Sequence, residues 1–263
     1  MELHMDGRNA LITGGSTGLG KAMAERFLSC GASVAIVARR AEVLGEAKSD
    51  LVATHPNANV QTYVCDVTDP KAIEAMFAQA EHDLGQIDVL VNNAGKSETG
   101  AFADITDEVW QSDLELKLFA AIRLCRLALP GMKARRWGRV INVLNTAAKA
   151  PRAGSAPTSV SRAAGMALTK VLAAEGAEHN VLVNCMLTGI IESDQWVRGH
   201  QASSANVGYR EYLGQMAERM SLPMGRVGES VEFANMACFL ASDAGSYITG
   251  TAINVDGGLC PVV

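Results

Sequence analysis

The feature that most narrows what this chain can fold into is a regular alternation of short β-branched runs with longer helical patterns along its 263 residues. NALIT (9–13), SVAIVA (33–38), NVQTYV (59–64), IDVLVN (87–92), RVINVL (139–144), VLVNCM (181–186) and TAINV (251–255) are each short, apolar and punctuated by Gly, Asn or Asp. Such runs suit strands buried on both faces. Residues 18–29, with Leu19, Met23 and Phe27 at helical spacing, and 106–135, opened by Thr106 and Asp107 in capping positions, read as helices. The alternation predicts an α/β fold, a doubly wound parallel sheet of about seven strands in three αβα layers. No linker, charge block or repeat divides residues 1–263, which read as one domain. The least regular stretch, about 190–226, carries Trp196, Tyr209 and Tyr212. It suits a lid over a ligand crevice, or else an extra helix pair covering the sheet edge.

Composition removes several classes of function. Hydrophobic residues at 48%, charged residues at 19% and a mean hydropathy of +0.11 fit a soluble globular protein rather than a disordered one. A net charge of −5 with scattered Lys and Arg argues against a nucleic-acid partner. The N-terminal residues show no basic segment followed by an apolar core, and no run reaches the roughly 18 apolar residues that would span a bilayer. A cytoplasmic protein with no membrane partner is expected. The six cysteines are widely spaced without a CxxC pair, as buried reduced thiols would be, and the five histidines show no ligand spacing, so no metal is expected.

The first strand runs into TGGSTGLG (13–20), where Gly14, Gly18 and Gly20 lead directly into a helix, and a second strand from about Ser33 completes a βαβ unit. Glycines so placed let a helix N-terminus meet a pyrophosphate, whose charge is stabilised by free N–H groups and the helix dipole. The arrangement predicts a Rossmann-like nucleotide site. A carboxylate at the tip of the second strand suits a free ribose 2′-hydroxyl, whereas arginine suits a 2′-phosphate. Here stand Ala38, Arg39 and Arg40, which favour NADP(H) over NAD.

TGGSTGLG, CDVTD (65–69), NNAG (92–95), GRVINV (138–143) and ASDAGSYITGTAINVDGG (241–258), in this order and spacing, resemble the short-chain dehydrogenase/reductase family over nearly the whole chain. The resemblance implies a cofactor set of Gly14, Ser16, Thr17, Gly18, Leu19, Gly20, Arg39, Arg40, Asp66, Val67, Asn93, Ala94, Gly95, Arg162, Gly189, Ile191 and Ser193. Asp66 and Val67 would border the adenine, Asn93 to Gly95 would support the central strand and ribose, and Ile191 and Ser193 would border the nicotinamide. It also implies a small-molecule substrate and a homodimer or homotetramer.

Members of this family reduce carbonyls or oxidise alcohols with a Tyr, a Lys four residues later, a Ser ending the fifth strand and an Asn in the preceding helix. Those positions fall here on Thr158 and Arg162 of TSVSRAA, Asn145 of NVLN and Lys117 of ELKLF. The four tyrosines, Tyr63, Tyr209, Tyr212 and Tyr247, are followed four residues on by Val67, Leu213, Met216 and Thr251, so no YxxxK exists. A tyrosine near pKa 10 is brought toward the working range by positive neighbours; a threonine hydroxyl is a far weaker acid on a shorter arm. Arg162 keeps a donor for the nicotinamide ribose, and Asn145 could polarise a carbonyl. Lys117, if it points at Arg162 and is partly buried, has a lowered pKa and could act as base or amine nucleophile; otherwise it extends to water. Thr146 should face away from Asn145 unless a bulge intervenes, and Tyr209 or Tyr212 could reach in from the lid. Three functions stay open: an NADP(H)-dependent oxidoreductase with a rearranged acid/base group, a cofactor-independent lyase, hydratase or hydrolase on a carbonyl compound, and a catalytically silent nucleotide-binding protein.

Overall fold

A computed structural model describes residues 2–202 and 207–263. Seven parallel strands form one sheet: β1 (Asn9–Thr13), β2 (Ser33–Ala38), β3 (Val60–Val64), β4 (Val89–Asn92), β6 (Gly138–Asn145), β8 (Val181–Thr188) and β9 (Ala252–Val255). Their spatial order is β3-β2-β1-β4-β6-β8-β9. Two further short strands, β5 (Thr99–Gly100) and β7 (Ala156–Pro157), pair antiparallel outside the sheet. All seven apolar runs are strands, with ends shifted by up to two residues, and β1 and β2 match their predicted limits.

Helices cover both faces because the strands are apolar on both. On one face α1 (Gly18–Ser29), α2 (Ala41–Thr54) and α9 (Ser230–Ala241) bury Met23, Phe27, Leu44, Leu51, Phe233 and Cys238 against Ile12, Ile36 and Val91. On the other, α3 (Pro70–Leu84) and α5 (Ala120–Ala134) bury Ile73, Phe77, Leu124 and Met132 against Leu11, Val37 and Leu90. Each large side chain so buried contributes about 1.5–3 kcal/mol. The helix α6 (Thr158–Gly176) packs on β6 and β8 beside them.

The stretch read as one helix from 106 to 135 is divided. A helix α4 (Asp107–Leu114) passes through one wide π turn, Glu115–Phe119, into α5. Thr106 does occupy the N-cap of α4, yet its side chain makes no capping bond. Such a turn inserts an extra residue and re-aims the side chains on it, and Lys117 lies at its centre. Residues 190–226 include α7 (Asp194–Ala202) and α8 (Tyr209–Arg219); residues 203–206 of the expected lid lie outside the described residues. None of the described helices is long and apolar enough to cross a membrane.

Candidate active site

Because the strands are parallel, their carboxyl ends share one rim, which carries Gly14, Arg39, Asp66, Asn93, Asn145 and Gly189. The chain winds outward in opposite directions from β1 and β4, and in such sheets the crevice between them receives the ligand.

The loop after β1 is shaped for close approach. Gly14 and Gly18 adopt φ of +64° and +51°, a left-handed backbone that favours glycine. A Cβ on Gly20 would stand 2.1 Å from the Gly14 carbonyl oxygen. Asn93 locks the turn: its Nδ2 donates to the carbonyls of Thr13 and Gly14 at 2.9 and 3.1 Å. Thr13 Oγ1 in turn accepts from the N–H groups of Asn93 and Ala94, each at 3.0 Å. Thr17 stands at the N-cap of α1 without a side-chain capping bond, which leaves first-turn N–H groups for an anion. Ser16, Thr17 and Leu19 are half-buried around this turn. Ser193 Cβ lies 3.7 Å from the place of a Gly18 Cβ, so the root of the 190–226 segment reaches the loop.

At the tip of β2, Arg39 and Arg40 are both exposed. Asp66 accepts from the Thr68 N–H at 3.0 Å and its hydroxyl at 2.8 Å. These bonds, with help from the Arg39 charge, hold the Asp66 carboxyl below its ordinary range. Val67 is buried in the core, Ile191 is buried and bridges to Gly228, and Gly189 lies against Asp256. These residues fit an adenine dinucleotide in three respects: glycines where bulk is excluded, an open helix N-terminus, and two exposed cations at the tip of β2.

The four positions that the resemblance sets against the family's catalytic residues do not behave alike. Lys117 and Asp113 are wholly buried and form an ion pair across the π turn. Lys117 Nζ also donates to Thr158 Oγ1 at 2.7 Å, and Asp113 Oδ2 accepts from Ser161 Oγ at 2.6 Å. Burial pushes the Lys117 pKa below the usual lysine range; Asp113 pushes it back up, and the Arg162 charge lowers it further. The alternative in which Lys117 extends to water is thereby removed. The expected influence of Arg162 is present, but the dominant cause is burial and the main opponent is a carboxylate that sequence reasoning did not find.

Thr158 is 3% exposed, and its hydroxyl is saturated. It donates to the Glu98 carbonyl at 2.7 Å and accepts from the Glu98 N–H at 2.9 Å as well as from Lys117. A hydroxyl has one hydrogen and two lone pairs, so nothing remains in this arrangement. Arg162 Nη2 lies 2.5 Å from where a Gly95 Cβ would stand, and Nη1 donates to the Val143 carbonyl. Burial lowers the Arg162 guanidinium to about 10, so it stays charged at neutral pH, and its Nε is buried with no partner among the described residues. Arg162, Lys117 and Ala94 line one partly open cavity of about 10 Å³, room for about a single water. Asn145 ends β6, and its Oδ1 is buried without a partner; among the described residues no hydrogen bond ties it to the other three.

Asp113, Ser161 and Glu98 escaped the sequence reading. A signal for two of them exists: Asp113 stands four residues before Lys117, and Ser161 three after Thr158, both spacings that share a helix face. The aromatics of the 190–226 segment pack together. Trp196 Nε1 donates to the Ile191 carbonyl at 3.0 Å, and Trp196 and Tyr212 pack with Leu213 and Leu259 around Met216 and Leu222. The rings of Tyr209 and Tyr212 gather about His200 at 5.5 and 5.2 Å. Five cysteines are buried and Cys260 is half-buried, all as free thiols. Among the described residues no group of three His, Cys, Asp or Glu could hold a metal.

Comparison with known proteins agrees with this geometry. A family model described as Enoyl-(Acyl carrier protein) reductase matches residues 14–260. The 3-oxoacyl-[acyl-carrier-protein] reductase of Escherichia coli (strain K12) is 32% identical over 261 residues, covering 98% of this chain and 99% of that protein. A short chain oxidoreductase from Pseudomonas aeruginosa PAO1, solved with NADPH and described as containing an atypical catalytic center, is 36% identical. It superposes with a TM-score of 0.92 over 99% of this chain and all of that one. The L-sorbose reductase of Gluconobacter frateurii, solved with NADPH and L-sorbose, gives 0.93 at 33% identity over the whole of both chains. With a matching family model, catalogued relatives along nearly its entire length and the same sheet, the chain belongs to the short-chain dehydrogenase/reductase family.

Proposed function

We propose that this protein is an NADP(H)-dependent oxidoreductase acting on a carbonyl/alcohol pair, with Lys117 as its proton store and Thr158 as the group that passes the proton on. The observation that carries the reading is the direct bond from the buried Lys117 ammonium to Thr158, the residue standing where the family has its tyrosine. A relative of 36% identity that binds NADPH and has an atypical catalytic center supports it. Arg39 and Arg40 would hold the 2′-phosphate, the N-terminus of α1 the pyrophosphate, and Arg162 the nicotinamide ribose through its unpartnered Nε. When bound, the nicotinamide supplies or accepts the hydride.

The chain's own part is the proton. In the reductive direction Asn145 donates to the substrate carbonyl oxygen from the end of β6. The Thr158 hydroxyl turns its hydrogen from the Glu98 carbonyl to that oxygen, and Lys117 replaces the lost proton. Lys117 is left as a neutral amine, which burial favours, and the Asp113 charge favours its reprotonation through the partly open cavity that Lys117 lines. Positioned proton transfer of this kind contributes about 10²–10⁴-fold in rate.

The test is NADPH oxidation against a panel of aldehydes and ketones, with NADPH binding measured separately by fluorescence. Lys117→Met and Thr158→Val should lower kcat at least a hundredfold while NADPH still binds, and Thr158→Ser should retain turnover. Wild-type rates in Thr158→Val would overturn the assignment. One observation favours a silent NADP(H)-binding protein instead: the side chains of Lys117 and Asp113 are wholly buried and Thr158 is saturated. NADPH binding with no carbonyl compound reduced would decide for that reading.

A further inference from the structure

A second cleft, of about 410 Å³, lies where the chain continues past Asn145. Its lining includes Thr146, Arg152, Ser155, Arg219, Met220 and Cys260. Thr146 follows Asn145 in the chain, so the cleft begins one residue, about 3.8 Å of backbone, from the amide proposed to meet the substrate. The space is of the size that small-molecule sites occupy.

Its charge is one-sided. Two arginines, both exposed, are among its lining residues, no Asp or Glu is, and among the described residues neither Arg152 nor Arg219 enters an ion pair or donates a side-chain hydrogen bond. In a chain of net charge −5, two cations left without a carboxylate in one concavity are not the local average. The walls that carry them are fixed. Ser155 Oγ donates to the Arg152 carbonyl at 2.6 Å and accepts the Arg152 N–H at 3.2 Å, closing a tight turn. Arg219 ends α8, which is anchored by the buried Met216 and Ala217. Cys260, also in the lining, is held from behind the cleft surface by a bond of 2.7 Å from its N–H to Asp256 Oδ2. Met220, Leu259 and Pro261 supply an apolar lip.

Resting on the oxidoreductase reading, we propose that the substrate is an anionic carbonyl compound, carrying a carboxylate or phosphate that Arg152 and Arg219 hold while its carbonyl faces Asn145. Two guanidiniums present paired N–H donors that match either anion, and the Met220–Leu259–Pro261 lip accommodates an aliphatic body between the two polar ends.

The test is calorimetric binding of a homologous series of short straight-chain oxo acids, their methyl esters and the corresponding oxoalkyl phosphates, to the NADPH-loaded protein. At least one acid or phosphate should bind ten times more tightly than its ester, and Arg152→Gln with Arg219→Gln should erase that margin while NADPH binding stays unchanged. Acid-selective binding shows the carboxylate form, phosphate-selective binding the other. Equal binding of acids, phosphates and esters, or a margin that survives both substitutions, overturns the proposal. If the margin is present but no oxo acid oxidises NADPH, the anion site stands and the oxidoreductase reading fails.

Discussion

Replacing the buried pair Asp113–Lys117 by apolar residues, singly and together, tests the electrostatics of the site without assuming any substrate. Both side chains are wholly out of solvent, so Asp113→Leu leaves an ammonium whose remaining partner is the Thr158 hydroxyl. Breaking one side of a buried pair costs about 3–5 kcal/mol. An independent bound agrees: the stranded lysine can lose its proton instead, and neutralising a group of pKa near 10.4 at pH 7 costs about 4–5 kcal/mol. Lys117→Met strands a carboxylate that retains only the Ser161 hydroxyl, at a similar cost. The double variant strands neither, so its loss should be smaller than the two single losses combined by about 3–5 kcal/mol. Urea unfolding of the four proteins at pH 7 measures this. The pH dependence has a fixed sign. The folded pKa of Lys117 lies below its unfolded value, so its destabilising effect is complete at pH below the folded value and is relieved as pH rises toward about 10.4. Asp113→Leu should therefore regain stability relative to the wild type between about pH 7 and 10. Single losses that add to within about 0.5 kcal/mol would refute the coupling.

Gly20→Ala should weaken NADPH binding at least tenfold, measured by fluorescence titration, because its methyl would meet the Gly14 carbonyl at 2.1 Å and push the loop apart. Arg39→Gln with Arg40→Gln should weaken NADPH by about 10–100-fold, the range of one or two charge-assisted bonds, while NADH affinity changes less than about threefold. Equal losses for both nucleotides would remove the arginines from 2′-phosphate recognition. Arg226 grips Glu232 through two bonds of 2.8 and 2.7 Å and, with the Glu229 N–H, holds its carboxyl down to about 2. A depressed carboxylate stabilises the fold above its unfolded pKa of about 4.3 and loses that effect as pH falls toward about 2. Acid unfolding of Glu232→Gln should therefore be the less steep over that window, by a modest amount because the pair is largely exposed.

What the sequence discloses and what it conceals follow one physical line. The strands, their burial on both faces and the glycine turn are written in contiguous residues: SVAIVA is β2 residue for residue, and TGGSTGLG carries its backbone angles in its glycines. Lys117, Thr158, Arg162 and Asn145 are found by position, yet their states are not legible, because packing decides them: Thr158 through a partner sixty residues away, Lys117 through the turn that aims it inward. Thr158 reads as a weak acid replacing a strong one; only the approach of Glu98, sixty residues earlier, turns it into a saturated clamp. Lys117 reads equally well as solvated or buried until the π turn of Glu115–Phe119 aims it inward toward Asp113. The two arginines of the second cleft belong to segments sixty-seven residues apart and carry no motif. In this chain the glycine turn is written locally, and the acid–base groups are set by packing. A lost tyrosine therefore says little about whether proton transfer survives, since the groups that could replace it are selected by packing rather than by spacing.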